Sequence, residues 1–315
     1  MKKTKGIHHI SAIVGNPQEN VDFYSSVLGL RLVKKTVNFD DPGTYHFYFG
    51  DESGNPGTII TFFPWQRAYK GRIGGGQVGT TTYVIPLGAM KFWKQRLDKF
   101  SISFEKQVRF GEEYVQFEDP HGLKLELVER NEGKRNDWNI DDITPDVAIK
   151  GFGGAVLLST QPEKTAELLH HVLGLDLVGE DNQFIRFRAR DEIGNTIDLN
   201  KLPVPRGRMG VGTVHHIAWR ADDNKDQLDW NQLVTENGYH VTDVKDRNYF
   251  HSIYFREYGE LLFEIATDLP GFAIDERIEQ LGEALKLPSQ FEPMREKIES
   301  VLSPITVRVE GKKYV

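Results

Sequence analysis

Two stretches of the chain carry adjacent histidines in the same setting. His8-His9 and His215-His216 each begin a short apolar, β-prone run that follows a glycine. Successive side chains of a β-strand point to opposite faces, so only one histidine of each pair can face a given side. His8 and His215 share the phase of the apolar residues that follow them, whereas His9 and His216 share the phase of small residues. His9 and His216 are therefore the better candidates for metal ligands.

A mid-strand acid completes a ligand set. Leu261, Phe263 and Ile265 form one apolar face of a predicted strand, and Glu264 lies on the opposite face. Two neutral imidazoles and one carboxylate are a ligand set typical of Fe(II) and also suited to Mn(II), and they leave about three coordination positions open. Any one of these residues alone is more often an ordinary core or surface residue. The repetition of the histidine pair favours a metal site.

The histidine pairs belong to a unit that occurs four times: a strand, a helix and a strand-rich stretch that ends in a turn and a last strand. The units begin near Ile7, Gly79, Gly153 and Gly212. We predict an α+β fold in which four βαβββ modules pair into two cup-shaped mixed β-sheet domains. The predicted domains are residues 6–130 and 151–268, joined by a linker at 131–150 and followed by a helical tail at 269–315 with helices over 275–285 and 293–302.

The composition of the 315 residues restricts the cellular setting and the partners. Hydrophobic residues at 39% and charged residues at 27% are typical of a globular protein, and the net charge is −7. The chain contains no basic cluster with interleaved aromatic residues, so we do not expect nucleic-acid binding. No run of the sequence approaches the ~18 apolar residues of a membrane span. The chain has no cysteine, which excludes disulfides and thiolate ligands and fits a reducing cytoplasm. We expect a cytoplasmic protein, with homo-oligomer formation left open.

The fourfold repeat and its ligand set resemble the vicinal oxygen chelate superfamily, which includes glyoxalase I, extradiol ring-cleaving dioxygenases and antibiotic-resistance proteins. The resemblance covers roughly residues 6–268 and implies a metal inside a cup, with ligands from the first and last strands of two modules. Modules one and four offer His9, His216 and Glu264, with Thr61 in the fourth place. The corresponding positions of modules two and three hold no imidazole: Tyr83, Gly154, Glu126 and Asp198. We expect one metal site per chain, between modules one and four.

Three further segments of the chain are similar to the hydroquinone-cleaving branch of this superfamily: residues 34–46, 246–250 and 269–272. By that resemblance His8, Ser11 and His215 surround the ligands, orient the imidazoles or relay a proton. The strand phase instead places His8 and His215 toward the core, so buried, hydrogen-bonded histidines remain the alternative. Tyr254 has the phase of the cavity face, and Arg247 precedes its strand. These two are candidates for acid–base and anion-orienting roles.

The residues and the resemblance together predict a metal-dependent ring-cleaving dioxygenase of the extradiol type. Its substrates would be O2 and a hydroquinone or catechol-like aromatic compound, and its metal Fe(II), with Mn(II) as the alternative. A glyoxalase-type lyase or isomerase is the second hypothesis, but such enzymes use four protein ligands and Thr61 is a poor fourth. A non-enzymatic protein that binds a quinone or a drug is the third, and it does not require the complete ligand set.

Overall fold

The computed structural model describes residues 2–307, which contain the four predicted modules. Module one comprises β1 (Ile7–Val14), α1 (Pro17–Val21), β2 (Arg31–Val37), β3 (Tyr45–Gly50) and β4 (Ile59–Pro64). Module two comprises β5 (Gln77–Ile85), α2 (Met90–Lys99), β6 (Phe104–Arg109), β7 (Glu112–Glu118) and β8 (Lys124–Glu129). Module three comprises β9 (Gly151–Leu158), α3 (Pro162–Glu167), β10 (Asp176–Glu180), β11 (Phe184–Arg188) and β12 (Thr196–Asn200). Module four comprises β13 (Thr213–Ala221), α4 (Asn224–Glu236), β14 (Lys245–Asp246), β15 (Phe250–Arg256) and β16 (Leu262–Pro270).

The module helices are short, and two of them end in the same way. α1 and α3 continue as π-helical turns, Asp22–Val27 and Leu168–Val172, each followed by a Leu-Gly-Leu sequence. Gly29 and Gly174 adopt positive φ angles of 69° and 73°, a conformation that favours glycine and ends a helix. No helix between residues 2 and 307 is long and apolar enough to cross a membrane.

Within the described part of the chain the module strands form two eight-stranded mixed sheets, which confirms the α+β prediction. Their orders are β14-β15-β16-β13-β1-β4-β3-β2 and β10-β11-β12-β9-β5-β8-β7-β6. The first strands of the modules lie at the centres, where β1 pairs antiparallel with β13 and β5 with β9. Each sheet therefore joins one module from residues 6–130 to one from residues 151–268. The domain boundaries themselves remain a prediction, and the ligand-bearing modules one and four share a sheet.

The tail after β16 differs in part from its prediction. The expected helix over 275–285 is wrong, because that segment contains only the 3-10 turn Ile278–Gln280. Its backbone crosses β2 closely at Gly282, where a Cβ would lie 1.8 Å from the Leu32 carbonyl oxygen. The second expected helix is present as the shorter α5 (Arg295–Val301). The last part of the predicted tail, residues 308–315, lies outside the described residues.

Candidate metal centre

Three adjacent strands at the middle of the first sheet bring the predicted ligands together. His9 lies on β1, His216 on β13 and Glu264 on β16, and all three side chains are buried. The Nε2 atoms of the two histidines are 3.2 Å apart. Oε2 of Glu264 is 2.8 Å from His216 Nε2 and 3.4 Å from His9 Nε2. The three atoms thus form a nearly equilateral triangle.

This triangle fits a metal ion. Two ligand atoms about 2.1 Å from one ion and at right angles to each other lie about 3 Å apart, close to the observed separations. Among the described residues, no aligned hydrogen-bond donor reaches the buried Oε2 of Glu264. Burial raises the pKa of Glu264, but the neighbouring imidazoles outweigh that effect and hold the pKa well below its usual value. Within residues 2–307 this is the one group of three or more such side chains whose ligand atoms converge.

Two β-bulges place both members of each histidine pair at the site. His8 is an extra residue on β1, and His215 is an extra residue on β13, at the two shifts in the β1–β13 register. A bulge interrupts the alternation of side chains along a strand. The expectation from strand phase that His8 and His215 face away into the core is therefore wrong. Each contacts the candidate ligand that follows it in the chain.

The contacts of His8 determine which nitrogen of His9 carries the proton. His8 Nε2 lies 3.1 Å from the Thr267 carbonyl oxygen, and His8 Nδ1 lies 2.9 Å from His9 Nδ1. A carbonyl can only accept, so the proton of a neutral His8 is on Nε2 and its Nδ1 accepts from His9 Nδ1–H. Burial lowers the pKa of His8 well below its usual value, so the ring is neutral. His9 Nε2 is then a free lone pair directed at the triangle.

His215 makes the matching contact on the other strand. Its Nδ1 lies 2.8 Å from His216 Nδ1. Burial lowers the pKa of His215 to about 3, which keeps this ring neutral as well. If His216 binds a metal through Nε2, its Nδ1–H donates to His215 Nδ1, and the proton of His215 lies on Nε2. Both ligand candidates thus have a histidine behind them that can fix the tautomer needed for metal binding.

Sequence reasoning missed one residue that contacts the carboxylate. Ser252 on β15 donates a hydrogen bond of 2.5 Å to Oε1 of Glu264. This contact leaves Oε2 for the triangle and fixes the rotation of the carboxylate. Ser252 stands two residues before Tyr254 and therefore has the same strand phase, which is the signal that could have identified it.

A cavity of 190 Å³ opens beside the triangle. Ser11, Arg247 and Tyr254, predicted from the sequence, lie on its wall, and their roles remain predictions. Arg247 Nε is 3.4 Å from the Tyr254 hydroxyl oxygen, and its Nη1 is 3.3 Å from Asp40 Oδ2 at the rim. Aromatic side chains supply much of the remaining wall: Phe39, His46, Tyr48, Phe63, Trp65 and Phe250. A larger cavity of 830 Å³ beside α1 and β7 contains none of the candidate site residues.

The corresponding place in the second sheet is filled by an ion pair network. Arg109 contacts Asp198 with Nε at 2.9 Å and Glu126 with its two terminal nitrogens at 2.8 and 2.6 Å. Arg186 also contacts Asp198, at 2.7 and 2.8 Å. The guanidinium groups neutralise the two acids that occupy the last-strand positions of modules two and three. Both acids are therefore occupied by ion pairs, and the single metal site between modules one and four stays a prediction.

Comparison with known proteins adds independent information. The family model of the Glyoxalase/Bleomycin resistance protein/Dioxygenase superfamily matches residues 6–127 and 151–274. The chain is 64% identical over 307 residues to "Putative ring-cleaving dioxygenase MhqO" of Bacillus subtilis, with 98% of both proteins covered. It is 33% identical over 308 residues to the chlorohydroquinone/hydroquinone 1,2-dioxygenase of Sphingobium indicum, covering 94% of this chain and 95% of that protein. A crystal structure of a Bacillus subtilis protein, 64% identical, matches with a TM-score of 0.97 over 98% of this chain and 99% of that one.

Proposed function

The chain belongs to the glyoxalase/bleomycin resistance protein/dioxygenase superfamily, and from that premise we propose that it is a metal-dependent ring-cleaving dioxygenase of the extradiol type. The substrates would be O2 and a hydroquinone or catechol-like aromatic compound. The observation that carries this proposal is the triangle of His9, His216 and Glu264 at one wall of a small, largely aromatic cavity. The names of the two relatives support the same class of reaction.

We propose Fe(II) as the metal, with Mn(II) as the alternative. Two imidazoles and one carboxylate on one side of an ion suit either metal and leave positions open toward the cavity. When bound, the ion would supply Lewis acidity that favours ionisation of a phenolic hydroxyl, and a place for O2 beside it. Thr61, in the fourth place, contacts Ser11 and His46, so it does not supply the fourth ligand that a glyoxalase-type site requires.

The other side chains of the cavity would act on the substrate directly. Arg247 is fully charged and would bind an anionic oxygen, since its guanidinium lies on the cavity wall. Burial raises the pKa of Tyr254, so its hydroxyl stays protonated and can donate a hydrogen bond or a proton. The Nε2–H of His215, at the cavity edge, is a second donor.

The size of the cavity favours a small substrate. Pockets for drug-sized ligands span about 300–1,000 Å³, and 190 Å³ is well below that range. Phe63 and Trp65 stack with ring centroids 5.6 Å apart on one side, and Phe250 packs against His9 at 5.0 Å. Flat aromatic walls around a small space suit a single aromatic ring.

Oxygen uptake by the protein loaded with Fe(II) under anaerobic conditions tests the proposal. Addition of O2 with a panel of hydroquinones and catechols should give uptake coupled to a ring-opened product. The H216A variant should lose this activity. The H171A variant, which changes an exposed histidine far from the ligand triangle in sequence and on module three, should retain it. If the metal-loaded protein consumed no O2 with any member of the panel, or if H216A remained active, the proposal would be wrong.

A further inference from the structure

A row of hydrogen bonds links four side chains of module one beside the cavity. The Tyr48 hydroxyl lies 2.9 Å from His46 Nδ1, and His46 Nε2 lies 2.9 Å from Thr61 Oγ1. Thr61 Oγ1 in turn lies 2.7 Å from Ser11 Oγ. Tyr48, His46 and Ser11 all border the cavity. Ser11 is also the cross-strand neighbour of His216, so the row ends beside the ligand triangle.

The direction of the row follows from the ligand that the cavity would hold beside the triangle. Tyr48 and Ser11, at the two ends of the row, are each 1% exposed and both border the cavity, so burial alone sets no direction. An anionic ligand oxygen can only accept, so Ser11 would donate to it and accept from Thr61, which in turn accepts from His46 Nε2–H. A neutral His46 then has an unprotonated Nδ1, and the Tyr48 hydroxyl donates to it. Burial lowers the pKa of His46 well below its usual value, in agreement with a neutral ring.

The same reasoning applies to the two hydroxyl groups. Thr61 Oγ1 accepts from His46, so its hydrogen is available for Ser11 Oγ, the other group within hydrogen-bond distance. Ser11 Oγ accepts that hydrogen, and its own hydrogen is left without a protein acceptor in the row. The free side of this hydroxyl is the cavity. Ser11 thus presents a hydrogen-bond donor next to His9 and His216.

We propose that His46 is a positioning residue, which together with Tyr48 and Thr61 directs the Ser11 hydroxyl at an anionic oxygen of a ligand bound beside the triangle. The ligand class is a hydroxyaromatic compound bound as its phenolate. This inference rests on the proposed function, because it concerns the same cavity. The ring of His46 is held in place by Phe63 and Tyr48, with ring centroids 4.3 and 4.1 Å away. Its two nitrogens are both occupied, so its effect on the ligand passes through Thr61 and Ser11.

Binding of 4-nitrophenolate to the Fe(II)-loaded protein without O2 tests this arrangement. The visible absorption of the probe gives the dissociation constant at a pH where free 4-nitrophenol is ionised. The T61V variant keeps the shape of the side chain but interrupts the row, and we expect about tenfold weaker binding, as for loss of a hydrogen bond to a charged group. The T61S variant keeps the hydroxyl and should bind like the wild type.

Two further measurements separate positioning from a general structural effect. Nitrobenzene, which has no phenolate oxygen, should bind equally to the wild type and T61V. The Y48F variant removes the hydroxyl that donates to His46 Nδ1, so it should also weaken phenolate binding, and it tests the proposal if T61V does not fold. Unchanged phenolate affinity in the folded, metal-loaded variants, an equal loss for nitrobenzene, or no phenolate binding by the wild type would each overturn the proposal. Because this assay needs no turnover, a wild type that binds phenolate but cleaves no ring would refute only the proposed function.

Discussion

Replacing Ser252 by alanine removes a single oxygen atom from the far side of Glu264, away from the imidazoles. The Ser252 hydroxyl is fully buried and donates to Oε1 at 2.5 Å, while Oε2 faces His9 and His216. Without this donor the carboxylate can rotate, and Oε1 is left buried with no hydrogen bond from that side. We expect S252A to bind Fe(II) or Mn(II) more weakly than the wild type.

The size of the loss follows from the charge on the acceptor. A hydrogen bond to a charged group contributes about 1.5–3 kcal/mol, which corresponds to roughly 10–100-fold in a dissociation constant. Changes to groups that orient metal ligands typically cost a similar factor, about 10–100-fold. Since Ser252 touches the carboxylate and not the metal position, the number of metal ions bound per chain should stay the same.

Competition with a fluorescent chelator under anaerobic conditions measures this affinity. S25A is a matched control, because Ser25 is also buried and its hydroxyl has no hydrogen-bond partner within residues 2–307. S25A should bind metal like the wild type. An S252A protein that folds and binds metal with wild-type affinity would refute the view that Ser252 holds the carboxylate in its ligating orientation.

Three further predictions concern the cavity, the tail and the second sheet. R247Q should raise KM for a phenolic substrate about tenfold by removing a charged hydrogen-bond donor, whereas R256Q, on β15 outside the cavity lining, should not; steady-state kinetics separate the two. K34A should destabilise the fold by about 3 kcal/mol in denaturant titrations, because Glu276, almost fully buried, loses the ammonium group that pairs with it. Burial raises the pKa of Glu112, but Arg130 and its neighbours outweigh that effect and hold the pKa at about 2. The ionised Glu112 carboxylate therefore stabilises the folded protein above about pH 4.3, and this contribution is lost as the pH falls toward 2. E112Q should therefore be about 2 kcal/mol less stable than the wild type at pH 7, and the difference in melting temperature should shrink on acidification. A constant difference from pH 7 to pH 3 would contradict the ion pair.

The repeated pattern of the sequence was enough to predict the modules and the ligand candidates. His9, His216 and Glu264 stand at equivalent positions of strands that the topology places side by side, and their side chains converge. The prediction from alternating side chains failed at His8 and His215, because each lies at a β-bulge. A bulge adds one residue to a strand, and the sequence composition of the strand does not reveal it. Such an irregularity depends on how two distant strands pair, and a single sequence does not display that pairing.

Two other features of the structure were not predicted from the sequence, and tertiary contacts explain both. Ser252 is an ordinary strand residue until the fold places it against Glu264. The segment 275–285 has helical composition, but its contacts with β2 prevail: Asp275 accepts a hydrogen bond of 2.5 Å from buried Lys34, and Gly282 approaches the Leu32 carbonyl. In each case a tertiary contact decided the outcome over a local preference.

The central claim is that the protein is a ring-cleaving dioxygenase with one metal ion between modules one and four. Isotopic labelling tests this claim most directly. Protein loaded with Fe(II) to a measured metal content would be mixed with a hydroquinone and isotopically labelled O2, and the product examined by mass spectrometry. We predict one metal ion per chain and a ring-opened product that contains both labelled oxygen atoms, with neither result from the E264A variant. A product without the label, or labelled product from metal-free E264A, would contradict the account.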